Sequence, residues 1–215
     1  LASEDAASRV VDSVTKAGAE AVLVPADVSQ EAEAQAAIKQ VVDRWGRIDI
    51  LVNNAGITRD KLLLRMNVED WDRVLDVDLK GVFLCCQAAA PMLCESGRGR
   101  IVNIGSGSGW GRSNLLAYCA SKGGVIQLTR SLGVEWAPFG IRVNAVAPTV
   151  TRSPMAENAL KASPAFAKAV KEKNLLRGDL AEPEEISAPV IFLLSGAASM
   201  ITGHTLVVDG GWSTW

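Results

Sequence analysis

Ile48-Asp49-Ile50-Leu51-Val52-Asn53-Asn54-Ala55-Gly56 is an apolar run that passes straight into a polar turn closed by glycine. Residues 48–52 read as a buried strand, and the four residues after them as its carboxyl-terminal turn. Upstream, Ser29 is a helix cap and the pattern from there to Trp45 is helical, closed by Gly46. Before that cap, residues 21–25 read as another short buried strand, ending at Ala26-Asp27-Val28. The first helix spans 3–16: Ala7, Val10, Val11 and Val14 recur at helical spacing and Gly18 stops it. Downstream, 58–67 is loop or short helix, and 68–79 and 82–95 are helical with Gly81 as a bend between them. Residues 100–104 form a strand, followed by a Gly/Ser-rich loop over 105–111. A helix then runs to about Trp136, where Pro138 and Gly140 end it. Residues 141–146 are a further strand, 149–177 a helical or mobile excursion, 183–194 a helix and 205–208 a last strand. Strands alternating with helices predict an α/β fold: a doubly wound, Rossmann-like parallel sheet covered on both faces, in a single domain.

Bulk properties bound the function. The chain has 215 residues, 48% hydrophobic and 21% charged, enough for a sizeable core. Its formal net charge of -2, with basic residues scattered, leaves no footprint for nucleic acid. No apolar run approaches the ~18 residues of a membrane span. Cys85, Cys86, Cys94 and Cys119 make no C-x-x-C pair, so neither a zinc site nor a disulfide framework is indicated, and reduced thiols in a cytoplasmic protein are expected. His204 is the only histidine, which excludes a His-clustered metal site.

The chemistry sits in Tyr118-Cys119-Ala120-Ser121-Lys122 and in Ser106 upstream. One helical turn apart, Tyr118 and Lys122 direct their polar ends into the same space. A free phenol has a pKa near ~10, and an adjacent ammonium favours the phenolate, so Lys122 is expected to lower Tyr118. A serine hydroxyl beside them can hold a carbonyl or alcohol oxygen during proton transfer. These are the roles a carbonyl/alcohol redox site asks of its protein when a cofactor carries the hydride.

Together, Asn53-Asn54-Ala55-Gly56 after an apolar strand, Ser106, the Tyr118/Lys122 pair and Asn144-Ala145-Val146-Ala147-Pro148 resemble the short-chain dehydrogenase/reductase family, in its order and spacing. The resemblance implies an NAD- or NADP-dependent oxidoreductase acting on a small-molecule carbonyl or alcohol, with Ser106, Tyr118 and Lys122 catalytic. It implies that Asp27 accepts from the adenine amino group and the Val28 amide contacts the ring; capping a loop is the alternative for Asp27. It implies that Asn53 ties strands together while Asn54, Ala55 and Gly56 line the adenosine ribose, and that Pro148, Thr149, Thr151 and Ser153 bind the cofactor, Thr151 and Ser153 where the nicotinamide carboxamide lies; a polar loop after a strand is the alternative. Ser108 is a second substrate contact and Ser113 a surface residue. The stretch 154–173 is the natural lid, with Met155, Leu160 and Phe166 either touching substrate or packing. Asp78 stands where similar proteins place an asparagine of the proton relay; it is either a relay member or a helix cap, and its charge is expected to raise Lys122. Thr149 replaces a usual glycine.

The resemblance also implies a glycine-rich phosphate turn upstream of residue 3. Gly105-Ser106-Gly107-Ser108-Gly109 is not that turn, since no helix follows it directly. The sequence is therefore expected to lack a first βαβ piece of about 30 or more residues, leaving strand 21–25 without a neighbour; the NAD/NADP preference would lie in that piece. Residues 54–61 with Met66 and Trp71 look most like 3-oxoacyl-(acyl carrier protein) reductases, whereas the chain beyond Pro148 reads more like sugar and polyol dehydrogenases. The acyl carrier protein is thus a possible partner, with Arg59 and Arg65 few for docking it. The tail with Trp212 and Trp215 implies a subunit interface and a homotetramer. The rival reading is a non-catalytic scaffold that oligomerises.

Overall fold

The computed structural model describes residues 4–214. Four strands, β1 (Ile50–Asn53), β2 (Arg100–Ile104), β3 (Arg142–Pro148) and β4 (Thr205–Val208), form one all-parallel sheet in the order β1-β2-β3-β4. Parallel strands need crossovers, and helices supply them on both faces. On one face lie α2 (Glu31–Trp45), α4 (Gly81–Ser96) and α5 (Leu116–Glu135), and on the other α8 (Pro183–Leu194).

The strands sort their side chains by the two-residue period. Ile101 and Val143 enter the core beneath α4 and α5 with Leu93, Val125 and Ile141. Val102 and Val146 enter the opposite core with Leu193 and Ala198. Burying an apolar side chain of this size is worth roughly 1.5–3 kcal/mol, so register here is strongly specified. The ladder pairs Asn53 of β1 with Asn103 of β2. Asn53 Nδ2 donates to Asn103 Oδ1 at 2.8 Å, and Asn103 Nδ2 donates to Thr129 Oγ1 at 2.9 Å, a chain of buried amides that ties both strands to α5. Burial pushes the neighbouring Cys86 thiol up to about 12, so it packs as a small apolar group.

Several expectations are corrected. Residues 19–27 adopt no regular structure, although 21–25 read as a strand, and Val22 and Leu23 remain exposed. A strand exists through its ladder, and no strand among the described residues pairs with this stretch. For the same reason β1, expected to be buried, is an edge strand whose Ile50 and Val52 are exposed. Ser29 does not cap α2. Gln30 holds that position without a side-chain bond, and the Ser29 hydroxyl donates to Asp27 Oδ1 at 2.7 Å. Gly81 is no bend: α3 (Val68–Leu75) continues through a π-helical turn, Asp76–Lys80, into α4, and the Gly81 amide donates to the Asp76 carbonyl.

The whole helix, Val68–Ser96, is long and apolar enough by length and composition to cross a membrane, but it packs on α2, β1 and α5 as a core helix does. Where a helical or mobile excursion is expected, α6 (Pro154–Ala162) and α7 (Pro164–Lys173) stand, with α1 (Glu4–Lys16) at the other end of the chain. Trp215 and the Met155 side chain lie outside the described residues.

Asn103→Ala would leave the Asn53 amide with only the weak Cys86 sulfur as side-chain acceptor and Thr129 short of a donor. It should destabilise the fold by about 1–3 kcal/mol, read as a lower urea midpoint with an unchanged m-value.

Candidate active site

The carboxyl ends of β1, β2 and β3 open on one edge, where ligands bind in open parallel sheets. Ser106 leaves β2 in extended backbone and caps a short 3-10 turn, its hydroxyl accepting from the Ser108 amide at 3.1 Å. Gly109 of that turn lies so close to α5 that a Cβ there would meet Ile126 and the Lys122 carbonyl, which brings the Ser106 loop onto the helix that carries Tyr118. Tyr118 is half-buried in the first turn of α5, and Lys122 is buried one turn on. The Lys122 Nζ lies 5.6 Å from the centroid of the Tyr118 ring. It donates to the Ile104 carbonyl at 3.0 Å and pairs with Asp78 Oδ2 at 3.4 Å.

Asp78 comes from the π turn and is fully buried. Its Oδ1 accepts from the Ile57 amide at 2.7 Å, just beyond the β1 turn, and its Oδ2, ion-paired with Lys122, accepts no hydrogen bond among the described residues. A Cβ on Gly56 would come within 3.1 Å of that oxygen and 3.4 Å of Lys122 Nζ, so glycine lets the turn lie against the pair. Asp78 caps no helix here.

Burial decides the proton affinities. It pushes Tyr118 up, with the charges of Asp78 and Asp60 acting in the same direction and the polar contact with Ser106 against it. The expected lowering of Tyr118 by Lys122 is therefore corrected: the phenol is raised. Desolvation also lowers Lys122, although Asp78 acts upward as expected. The Asp78 carboxyl is in turn raised by burial, against the pull of Lys122. Each ion is disfavoured by its lack of water and kept by its partner.

Asp27 and Val28 lie beside the same helix. Asp27 accepts from the Ser29 amide and hydroxyl and from Arg73 of α3 at 3.0 Å, contacts that hold its carboxyl below the usual range. Val28 abuts Gly81, where a Cβ would come within 2.9 Å of it. Asn54, Ala55 and Gly56 are exposed at the end of β1.

Beyond Pro148, the Thr149 amide donates to the Val208 carbonyl and the Thr151 hydroxyl to the Thr149 carbonyl. The Ser153 hydroxyl caps α6 by accepting from the Ala156 amide at 3.2 Å, with its own proton left to donate. Leu160 and Phe166 pack with Val170, Leu180 and Trp212, so Trp212 is engaged within the chain, where Arg112 also stacks on it at 4.1 Å. Ser108 is buried and Ser113 exposed. Arg59 and Lys61 both pair with Asp70.

The donor set fits a dinucleotide. An ammonium has three protons; Lys122 gives one to the Ile104 carbonyl and faces Asp78 as an ion pair, which leaves a proton for a cofactor hydroxyl. Sequence reasoning missed Arg73, the Ile57 amide and the Ile104 carbonyl. The last two are backbone groups, which no residue type announces.

A family model described as Enoyl-(Acyl carrier protein) reductase matches residues 1–213. A 3-oxoacyl-[acyl-carrier-protein] reductase of Synechocystis sp. is 43% identical over 211 residues, 97% of this chain and 83% of the relative. A D-threitol dehydrogenase of Mycolicibacterium smegmatis is 40% identical over 188 residues, 87% of this chain and 71% of the relative. Among solved structures, a gluconate 5-dehydrogenase from Burkholderia cenocepacia in complex with NADP and tartrate superposes with a TM-score of 0.91 at 34% identity, covering 99% of this chain and 83% of that one.

Tyr118 is the only tyrosine in the chain, so its ionisation can be followed directly by ultraviolet absorbance. Its midpoint should lie above that of a free phenol. In Asp78→Asn, where a negative charge that opposes phenolate is gone, it should move to lower pH.

Proposed function

The chain belongs to the short-chain dehydrogenase/reductase family, and from that premise we propose that this NAD(P)-dependent oxidoreductase reduces the ketone of a 3-oxoacyl thioester to a secondary alcohol. The convergence of Ser106, Tyr118 and Lys122 at the carboxyl edge of the sheet carries the reading. The cofactor, NADH or NADPH, supplies the hydride when bound, and Asp27, Val28, Asn54, Ala55, Gly56, Pro148, Thr149, Thr151 and Ser153 are the residues assigned to hold it.

Ser106 holds the substrate oxygen by its hydroxyl. Tyr118, whose raised pKa keeps its proton at neutral pH, gives that proton to the developing alkoxide. Lys122 steadies the phenol and offers its remaining proton to the cofactor. Asp78 holds Lys122 as an ion pair and, through the same Oδ2, which accepts no hydrogen bond among the described residues, accepts from a water or hydroxyl in the relay that returns the proton to Tyr118. The reverse reaction uses Tyr118 as base and calls for higher pH.

The thioester assignment is supported by the Synechocystis relative, and its carrier would be an acyl carrier protein. The M. smegmatis relative supports a polyol as the second reading. Exposed Ile191, Phe192 and Val207 around α8 and β4 suit a homotetramer of single-domain subunits, and four free cysteines suit the cytoplasm.

Tyr118→Phe should lower kcat by about 100-fold or more with nucleotide affinity nearly unchanged in a fluorescence titration. Wild-type protein assayed with acetoacetyl thioesters and with polyols, against both cofactors, should turn over the thioester faster; a clear preference for polyols would overturn the assignment.

A further inference from the structure

At the amino-terminal edge of the sheet, opposite the Tyr118 side, Arg100 and Arg142 are direct partners across the β2–β3 ladder. Like charges in that relation repel. Arg142 is only 8% exposed and reaches the end of α8, donating to the Leu193 carbonyl at 2.8 Å, the Ser195 carbonyl at 2.9 Å and the Ile201 carbonyl at 3.5 Å. Its Nε is buried with no partner. Among the described residues, the Arg100 side chain donates only to the carbonyls of Arg98 and Gly99 beside it in sequence.

Neither guanidinium forms an ion pair among the described residues. Asp49, whose carbonyl accepts from the Arg100 amide, spends its carboxylate on Arg47 at 2.5 Å and Arg98 at 3.6 Å. Glu135 accepts from the indole of Trp136. Burial, and then the charge of Arg100, act against protonation of Arg142.

Both arginines line a cavity of about 260 Å³, whose wall is completed by the apolar Ala137 and Ile141 and by Gly140, Ser199 and Thr202. Thr202 Oγ1 accepts from the Val143 amide at 3.1 Å, which leaves its proton to donate. Every charged group on this lining is cationic, and the remaining side-chain polar groups are hydroxyls. The volume falls below the roughly 300–1,000 Å³ of sites for drug-sized ligands, and suits a compact oxyanion held by the Arg100 guanidinium with the fixed charge of Arg142 beside it.

We propose that the cavity lined by Arg100 and Arg142 binds a phosphate group, carried by free orthophosphate or by a small phosphomonoester. The anion neutralises the cross-strand pair and draws together the starts of β2 and β3 and the segment after α8, so it stabilises the sheet from the end remote from catalysis.

Thermal unfolding of the full chain, titrated with orthophosphate or with glycerol 3-phosphate at constant ionic strength in chloride, tests this. A saturable rise in Tm is expected, roughly 5–10 °C at a hundredfold excess over Kd. Saturation by orthophosphate alone identifies the free ion, and tighter saturation by glycerol 3-phosphate identifies the ester. Arg100→Gln spares the Arg142 cap on α8 and should fold but lose the saturable rise. Thr202→Val, a second variant away from α8, should weaken it several-fold. No rise beyond the chloride control, or the same rise in Arg100→Gln, would overturn the proposal.

Discussion

An ammonium group with almost no water of its own joins the three elements on which the carboxyl edge of the sheet is built. Lys122 belongs to α5, its carbonyl acceptor to the end of β2, and its carboxylate to the π turn between α3 and α4. The isolated cost of burying each ion is several kcal/mol, so neither charge would be kept there alone. Removing either leaves the other stranded. The pair therefore acts as a geometric constraint more than as a source of stability: α5, the β2 terminus and the long helix are held in the relation that keeps both ions paired. Gly56 against the pair and the Ile57 amide on Asp78 extend that constraint to the turn after β1.

Much of this could be read from residues alone. Strand 100–104 coincides with β2, and 183–194 and 205–208 coincide with α8 and β4, because apolar periodicity and flanking proline or glycine dictate those ends locally. The turn after β1 and the spacing of Tyr118 and Lys122 are local as well. What failed depended on partners. Residues 21–25 have a strand's composition, but strandedness belongs to a pair of segments. Ser29 has the chemistry of a cap, yet the Asp27 carboxylate two residues earlier is a competing acceptor. The proton affinities of Tyr118 and Lys122 were judged from neighbouring charge, while burial, which no short stretch encodes, weighs more. Asp78 was legible as a departure from an expected asparagine, but not as the acceptor for a backbone amide from another element.

The five residues from Asp76 to Lys80 have a consequence for how one helix serves two neighbours. Each residue turns an α-helix by about 100°, so one residue accommodated as a bulge rephases everything beyond it by a large fraction of a turn. The amino-terminal part presents its apolar stripe to α5, whereas the carboxyl-terminal part presents its own to α2 and β1. A regular helix of this length would have kept a single seam and served one of those surfaces poorly. The wider turn is where the seam changes sides, and its inner wall is where the carboxylate of Asp78 points.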